Sequence, residues 1–141
     1  MKSPINVVDE LNGMLAEEVE AAVRYLYLKV TMESDNGDVI THLQEAFEET
    51  IEHAEWLAAM IRDLNGVPRL SVRVDCEQPP ATPDDAVHDV LTIEEAALEG
   101  YRELLEFAER DGAEAKVLEF LRKQVELESE HVNEFRSLEK R

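Results

Sequence analysis

The C-terminal part of the chain carries a helical stripe that is apolar at both ends and polar in its middle. Residues spaced alternately by four and three share one helix face, and here they are Val117, Leu121, Gln124, Glu128, His131, Phe135 and Leu138. Burying an unpaired carboxylate such as Glu128 costs roughly several kcal/mol. A metal ion held by Glu128 and His131, which are neighbours on this face, would offset that cost. For this pair alone, the alternative is that both side chains lie in water at a helix edge.

Three further stretches repeat the arrangement of an apolar stripe with one polar residue near its centre. That residue is Glu18 in the first stretch, His53 in the second and Glu94 in the third. The stripes comprise Val8, Leu11, Leu15, Glu18, Ala22 and Tyr25; Leu43, Ala46, Thr50, His53, Leu57, Met60 and Leu64; and Val87, Leu91, Glu94, Leu98, Tyr101, Leu105 and Ala108. The pattern predicts four helices, over approximately 5–33, 38–65, 84–110 and 113–139.

The connections between these helices are short, long and short. Pro4 is a suitable first helical residue, and residues 33–38 have the composition of a turn. Residues 67–82 lose the helical pattern and end in prolines, whereas Arg110-Asp111-Gly112 is a tight turn. We therefore predict an all-α chain with a single domain over 1–141. Its fold would be an antiparallel up-down-down-up four-helix bundle with one long crossover between helices 2 and 3.

Hairpin symmetry predicts that the polar residues of the four stripes meet in one layer. Both helices of a hairpin rise about 1.5 Å per residue, so residues equidistant from the turn lie at the same height. Glu18 and His53 are equidistant from the first turn, and Glu94 and Glu128 from Asp111 in the second. With His131 added, five polar side chains would then converge in an apolar core. The alternatives are five separately satisfied polar residues, or a polar network without metal.

A converging set of carboxylates favours a bound cation. Like charges raise each other's pKa values unless a cation is present, and a ligand set of carboxylate and imidazole without thiol favours iron or manganese, with zinc also suitable. Tyr25 and Tyr101 each follow a stripe glutamate by seven residues. They are candidates to donate hydrogen bonds to those carboxylates, although core packing alone would place them equally well.

Charge and cysteine content narrow the range of partners and compartments. The formal net charge of −19 repels phosphate backbones and anionic membranes, so we expect neither nucleic acid nor membrane as a partner. Cys76 is the one cysteine, which excludes an internal disulfide and fits a reducing compartment. No apolar run approaches the length of about 18 residues needed to span a bilayer. A cytoplasmic location is the expectation.

The first helix has a second apolar stripe besides the one that faces the core. It consists of Val19, Val23, Leu26 and Val30. Extended apolar surface of this kind usually marks an interface, so we expect a homodimer or a higher homo-oligomer. The alternative is that the stripe packs beneath the long crossover.

These residues resemble the ferritin-like di-iron carboxylate family, and the bacterioferritins and rubrerythrins are the most similar members. That family uses one Glu from each of two helices and a Glu-x-x-His motif from each of the other two. Glu18, Glu94 and Glu128-Ser129-Glu130-His131 match it, and the stretch from Leu15 to Tyr25 is particularly similar to bacterioferritin. The resemblance implies that one or two iron ions are bound per chain and that Fe(II) is oxidised by dioxygen. It makes Tyr25 and Tyr101 the candidate catalytic residues.

Three features depart from the family pattern. The second helix has Thr50 where the family has a bridging glutamate three residues before His53. Glu49 is the nearest substitute, and although it lies about 100° round the helix from Thr50, a one-residue π-bulge could turn it inward. Ile51 stands where bacterioferritin has its haem-binding methionine, so we expect no haem. No fifth helix follows the fourth, and we therefore do not expect a large storage shell.

Three functional interpretations remain at this stage. The first is an iron-binding, ferroxidase-type oxidoreductase, and it is the one we favour, although the sequence does not decide whether the chain is an enzyme. The second is a rubrerythrin-type oxidase or peroxidase, which would need an external electron donor because the chain has no Cys-x-x-Cys pair. The third is a structural bundle whose metal site has degenerated, an interpretation that Thr50 supports.

Overall fold

Four long α-helices form the bundle in the computed structural model, which describes residues 6–32 and 37–139. They are α1 (Val7–Thr31), α2 (Gly37–Asp63), α3 (Pro83–Asp111) and α4 (Ala115–Glu139). α1 packs against α2, α3 packs against α4, and α1 also packs against α3. The residues between α2 and α3 contain neither helix nor strand. This arrangement confirms the predicted bundle of two hairpins joined by one long crossover.

Local side-chain chemistry sets the helix ends. The side chain of Asn6 caps α1 by accepting a hydrogen bond from the backbone N–H of Asp9, and Thr82 caps α3 in the same way ahead of Pro83. α3 ends at Gly112, whose φ of 70° lies in the left-handed region that favours glycine. The predicted helix start at Pro4 and residues 33–36 of the predicted turn at 33–38 lie outside the described residues, and α2 already begins at Gly37.

The core consists of two apolar clusters with a polar layer between them. One cluster comprises Leu11, Met14, Leu15, Ala54, Leu57, Ile61, Ala97, Tyr101, Leu104, Ala108, Val117 and Leu121. The other comprises Ala21, Tyr25, Leu28, Leu43, Ala46, Val87, Val90, Leu91, Leu98, Val132 and Phe135. In each helix the buried polar residue falls between the parts of the stripe that enter the two clusters. The bundle therefore holds its polar side chains at mid-height.

Hydrogen bonds attach the first residues of the crossover to α1. The side chain of Asn12 accepts a hydrogen bond from Arg69 N–H at 2.7 Å and donates one to the carbonyl oxygen of Val67 at 3.1 Å. Gly66 approaches so closely that an added Cβ would lie 2.7 Å from a methyl carbon of Val8. This contact requires glycine unless the valine side chain moves.

The path of the crossover leaves most of the second apolar stripe of α1 uncovered. Val23, Leu26 and Val30 are 41%, 43% and 65% exposed, whereas Val19 is half-buried against the core. The alternative that this stripe packs beneath the crossover is therefore wrong for these three exposed residues. Among the described helices, none combines the length and apolar character required to cross a membrane.

Candidate metal centre

Every helix contributes a carboxylate or an imidazole to the polar layer. Glu18 comes from α1, His53 from α2, Glu94 from α3, and Glu128 and His131 from α4, and each is at most 8% exposed. The two apolar clusters lie on either side of these residues. The structure thus brings together all five polar side chains that hairpin symmetry placed in one layer.

The first group of candidate ligands consists of Glu18, His53 and Glu128. Nδ1 of His53 lies 3.2 Å from Oε2 of Glu18 and 3.2 Å from Oε1 of Glu128. One ligand atom from each residue lies within 4.8 Å of the other two. This spacing allows the three atoms to bind one ion.

The second group consists of Glu94, Glu128 and His131. Nδ1 of His131 lies 3.7 Å from Oε1 of Glu94 and 4.0 Å from Oε2 of Glu128, and the ligand atoms again lie within 4.8 Å of one another. The rings of His53 and His131 are nearly parallel, with centroids 5.8 Å apart. Glu128 therefore belongs to both groups and directs one oxygen to each.

Glu49 reaches this layer from the half-exposed side of α2. Its carboxylate contacts Nε2 of His131. α2 is a regular α-helix throughout this region, so the contact of Glu49 with His131 forms without a π-bulge in the described helix. Thr50 is buried, with 4% of its surface exposed. Thr50 thus places a hydroxyl where the family has a bridging carboxylate. The carboxylate of Glu49, one residue earlier, approaches His131 from the half-exposed side of the helix.

The two tyrosines differ in their hydrogen bonds. The hydroxyl of Tyr101 donates to Oε2 of Glu18 and accepts a hydrogen bond from the side-chain amide of Gln124 at 3.4 Å. The Tyr25 hydroxyl is buried, and no atom of the described residues contacts it with hydrogen-bond geometry. Burial raises the pKa of both tyrosines, as do Glu94 beside Tyr25 and Glu18 beside Tyr101.

Without a cation, the surroundings raise the pKa values of Glu18, Glu94, His53 and His131. Burial and the charge of Glu128 raise the pKa of Glu94 well above its usual value, and burial also raises the pKa of Glu18 although His53 opposes the shift. Burial opposes protonation of His53, but the hydrogen bonds to Glu128 and Glu18 outweigh it and raise its pKa to about 10. At His131, the Glu49 contact likewise raises the pKa against the effect of burial.

The donor atoms fit a transition-metal ion. Oε2 of Glu128 is buried and has no hydrogen-bond partner among the described residues, and an unpaired buried polar atom is costly. A cation would satisfy it and reduce the repulsion among the carboxylates. Oxygen and imidazole donors without thiol suit iron, manganese or zinc.

Two further residues contact the side chains of the candidate centre, and neither was identified as a site residue from the sequence. The ring of Trp56 stacks on His53 at a centroid distance of 5.4 Å, and Gln124 is buried beside Tyr101. Their spacing in the sequence could have identified both, because Trp56 follows His53 by three residues and Gln124 precedes Glu128 by four. Residues at these spacings share a helix face.

A family model for the Ferritin-like domain matches residues 8–140 of the chain. Comparison with curated protein sequences gave no match.

Solved structures with the same architecture confirm the predicted ferritin-like fold class. A ferritin-like di-iron carboxylate protein from Bacillus anthracis has a TM-score of 0.81 and 20% identity, with 94% of both chains covered. The bacterioferritin of Rhodobacter capsulatus has a TM-score of 0.79 and 24% identity, with coverage of 99% of this chain and 87% of that one. The bacterioferritin of Desulfovibrio desulfuricans has a TM-score of 0.85 and 19% identity, with coverage of 95% and 78%. At these identities the likeness shows the fold alone.

Proposed function

The chain belongs to the Ferritin-like domain family, and we propose that it binds iron in the polar layer of its bundle and oxidises Fe(II) with dioxygen. The observation that carries this proposal is the shared position of Glu128 between two buried groups of candidate ligands. A carboxylate with one oxygen directed to each group is suited to hold two ions next to each other. Proximity of two ions matters because each Fe(II) supplies only one electron.

The charges of the surrounding residues match two divalent ions when Glu49 is included. Glu18, Glu94 and Glu128 supply three negative charges from the core, and Glu49 supplies a fourth at His131. Without Glu49, the three core carboxylates would leave one positive charge of two divalent ions unmatched. The half-exposed position of Glu49 still makes its contribution weaker than that of a buried bridge, because water screens the charge. We therefore propose two binding positions of unequal affinity.

Residues of the chain release protons when iron binds and stabilise the charge of the oxidised ions. Binding of Fe(II) removes the proton from His53, whose pKa is about 10 without a cation, and favours the ionised forms of Glu18 and Glu94, since a ligand must be deprotonated. The same carboxylates stabilise the additional positive charge of Fe(III). Oxidation of two Fe(II) ions supplies two electrons, which with two protons reduce one dioxygen to hydrogen peroxide. The proposed catalytic side chains are Tyr101, which donates a hydrogen bond to Glu18, and Tyr25, whose hydroxyl is buried beside Glu94; both position these carboxylates.

Haem is not included in this proposal. Ile51, at the position of the haem-binding methionine in the family resemblance, is 38% exposed and has no sulfur atom to bind iron. Manganese or zinc would fit the same donors, but neither is oxidised by dioxygen as readily as Fe(II), so the oxidation chemistry is assigned to iron.

Anaerobic titration with Fe(II), followed by admission of oxygen, tests the proposal. We expect up to two Fe(II) bound per chain and consumption of about one dioxygen for each pair oxidised. Glu128→Gln should abolish paired oxidation because it removes the shared carboxylate. Glu126→Gln, on an exposed position of the same helix, is the matched control and should behave like the wild type. If the wild type, Glu128→Gln and Glu126→Gln all oxidised Fe(II) no faster than it is oxidised in protein-free solution, a structural bundle with a degenerate site would be favoured.

A further inference from the structure

A second cluster of histidine and carboxylates lies between α2 and α4, outside the core. Nδ1 of His42 is 2.8 Å from Oε2 of Glu134 and 3.7 Å from Oε1 of Glu45. One ligand atom of each residue lies within 4.8 Å of the other two. His42 is half-buried and both glutamates are exposed. Solvent therefore has access to the cluster.

The imidazole of His42 is held in place by packing and by its contact with Glu134. Its ring packs edge-on against Phe135, with centroids 6.0 Å apart and planes at 69°, and Phe135 is itself buried in the core. The Nδ1 atom is buried and has no partner with hydrogen-bond geometry among the described residues, even though Glu134 is at contact distance. Two donors bound at about 2.1 Å and at right angles on one ion lie about 3 Å apart. The distance from Nδ1 of His42 to Glu134 is close to that value.

The other surface pair of this type is arranged differently. His88 and Glu139 are joined directly by a hydrogen bond of 2.9 Å, and no second carboxylate completes a three-ligand group around them within the described residues. That pair is satisfied without an ion. The comparison separates an ordinary ion pair from a group with three converging donors.

The cluster also lies one helical turn from the core centre. On α2, Glu45 precedes Glu49 by four residues, and on α4, Glu134 follows His131 by three. These spacings place consecutive donors on the same helix faces. Glu49 in turn contacts His131. A continuous series of oxygen and nitrogen donors therefore connects the solvent-exposed cluster to the second core group.

We propose that His42, Glu45 and Glu134 form a separate site for a divalent transition-metal ion, which loads the core through Glu49. The existence of the site is independent of the function proposed above, whereas its loading role rests on that function. Neutral imidazole and carboxylate donors select ions such as Fe(II), Mn(II), Co(II) and Zn(II). Partial exposure makes the site a place where an ion binds reversibly before it passes inward.

Metal stoichiometry tests the site. Zn(II) binding to the full-length chain, measured by calorimetry, should show one ion fewer per chain in the double variant His42→Ala/Glu134→Gln. The variant His88→Ala/Glu139→Gln is the matched control and should bind as the wild type does. In Glu128→Gln, where the core is impaired, the additional ion should persist. Equal stoichiometry in wild type and His42→Ala/Glu134→Gln, with both shown to be folded by circular dichroism, would overturn the assignment.

Trp56 provides a separate readout for the loading role. It is the chain's one tryptophan and stacks on His53, so its fluorescence should respond when Co(II) reaches the core. In stopped-flow mixing without oxygen, His42→Ala/Glu134→Gln should slow this response several-fold and leave its final amplitude unchanged. If the fluorescence of His42→Ala/Glu134→Gln changed at the wild-type rate, the loading role would be refuted. The existence of the site would then depend on the Zn(II) stoichiometry alone. If no protein showed a response, the core centre itself would be contradicted and loading with it.

Discussion

The carboxylate of Glu49 contacts Nε2 of His131 across the space between α2 and α4. The contact lowers the pKa of Glu49, chiefly through its hydrogen bond with His131. A charged group thus lies at the second candidate group of ligands although Thr50 occupies the inward position one residue later. This geometry assigns to Glu49 the charge that the family resemblance assigns to a buried glutamate.

Glu49→Ala should reduce iron stoichiometry from about two ions per chain towards one, because the second position loses one of its three carboxylates, Glu94, Glu128 and Glu49. Paired oxidation should be lost with the second ion. Thr50→Glu should add little to the wild type but should restore binding in the Glu49→Ala background. Anaerobic Fe(II) titration and oxygen consumption measure both effects.

Glu52→Ala is the control for that experiment, since Glu52 is exposed on the same helix and has no contact with the centre in the described structure. If Glu49→Ala were as active as Glu52→Ala, the contact with His131 would have no role in metal binding.

Metal-free protein should become less stable as the pH rises. The folded state raises the pKa of His53 from 6.5 to about 10, so the stabilisation from its protonation is complete below pH 6.5 and is lost as the pH rises through about 10. The raised pKa values of Glu18 and Glu94 in the folded state act in the same direction. Their stabilising contribution is complete below the usual carboxyl pKa of 4.5 and is lost as the pH rises through the pKa of each group in the folded state. Thermal melting in the presence of a chelator, over a series of pH values, measures this slope.

Mn(II) should counteract that loss, because a bound cation replaces the protons and stabilises the folded state alone. The increase in melting temperature on adding Mn(II) should therefore be larger at high pH. Glu94→Gln should flatten the slope of the metal-free protein, which separates the centre from the general repulsion of an acidic chain. A melting temperature that chelator and Mn(II) leave unchanged at every pH would argue against a metal site.

The two tyrosine-to-phenylalanine variants should differ in stability. Tyr101→Phe removes the donor to Glu18 and leaves a buried carboxylate less satisfied, which costs about 1–3 kcal/mol. Tyr25→Phe removes a hydroxyl that has no partner of hydrogen-bond geometry among the described residues, and its effect on unfolding should stay within about 0.5 kcal/mol. Chemical denaturation of metal-free protein distinguishes them. Equal destabilisation would show that Tyr25 has a structural hydrogen bond after all.

The exposed stripe of α1 should mediate self-association. Leu26 is 43% exposed in the middle of this stripe, and Leu26→Glu would place a charge in any interface formed there. Sedimentation should show a dimer or larger species for the wild type and a shift to monomer for the variant. Leu70→Glu, at a 66% exposed residue of the crossover, should leave association unchanged. A monomeric wild type at high concentration would contradict the prediction.

Periodicity and hairpin symmetry were sufficient to predict the bundle and the convergence of Glu18, His53, Glu94, Glu128 and His131. These rules depend on the fixed rise and repeat of the α-helix, so they apply wherever the helices are regular. They determine the height and face of each residue. They do not determine how far a side chain extends or which rotamer it adopts.

Two features needed more than these rules: the way in which Glu49 reaches the centre, and the cluster around His42. The sequence identified Glu49 as the nearest substitute for the missing bridge, on the neighbouring face of its helix, with a π-bulge as one way to turn it inward. The length of the Glu49 side chain alone suffices for the contact with His131. The His42 cluster was missed for a related reason: its members lie on two helices that are not consecutive in the chain, and hairpin symmetry gives no register between α2 and α4.

The position of two metal ions relative to Glu128 is the most direct test of this account. Crystals soaked without oxygen in Fe(II), with anomalous scattering measured at the iron edge, should show two peaks on either side of the Glu128 carboxylate. One peak should lie between Glu18 and His53, and the other between Glu94 and His131. A single peak that does not contact Glu128, or no peak in the core at all, would contradict the shared-carboxylate centre.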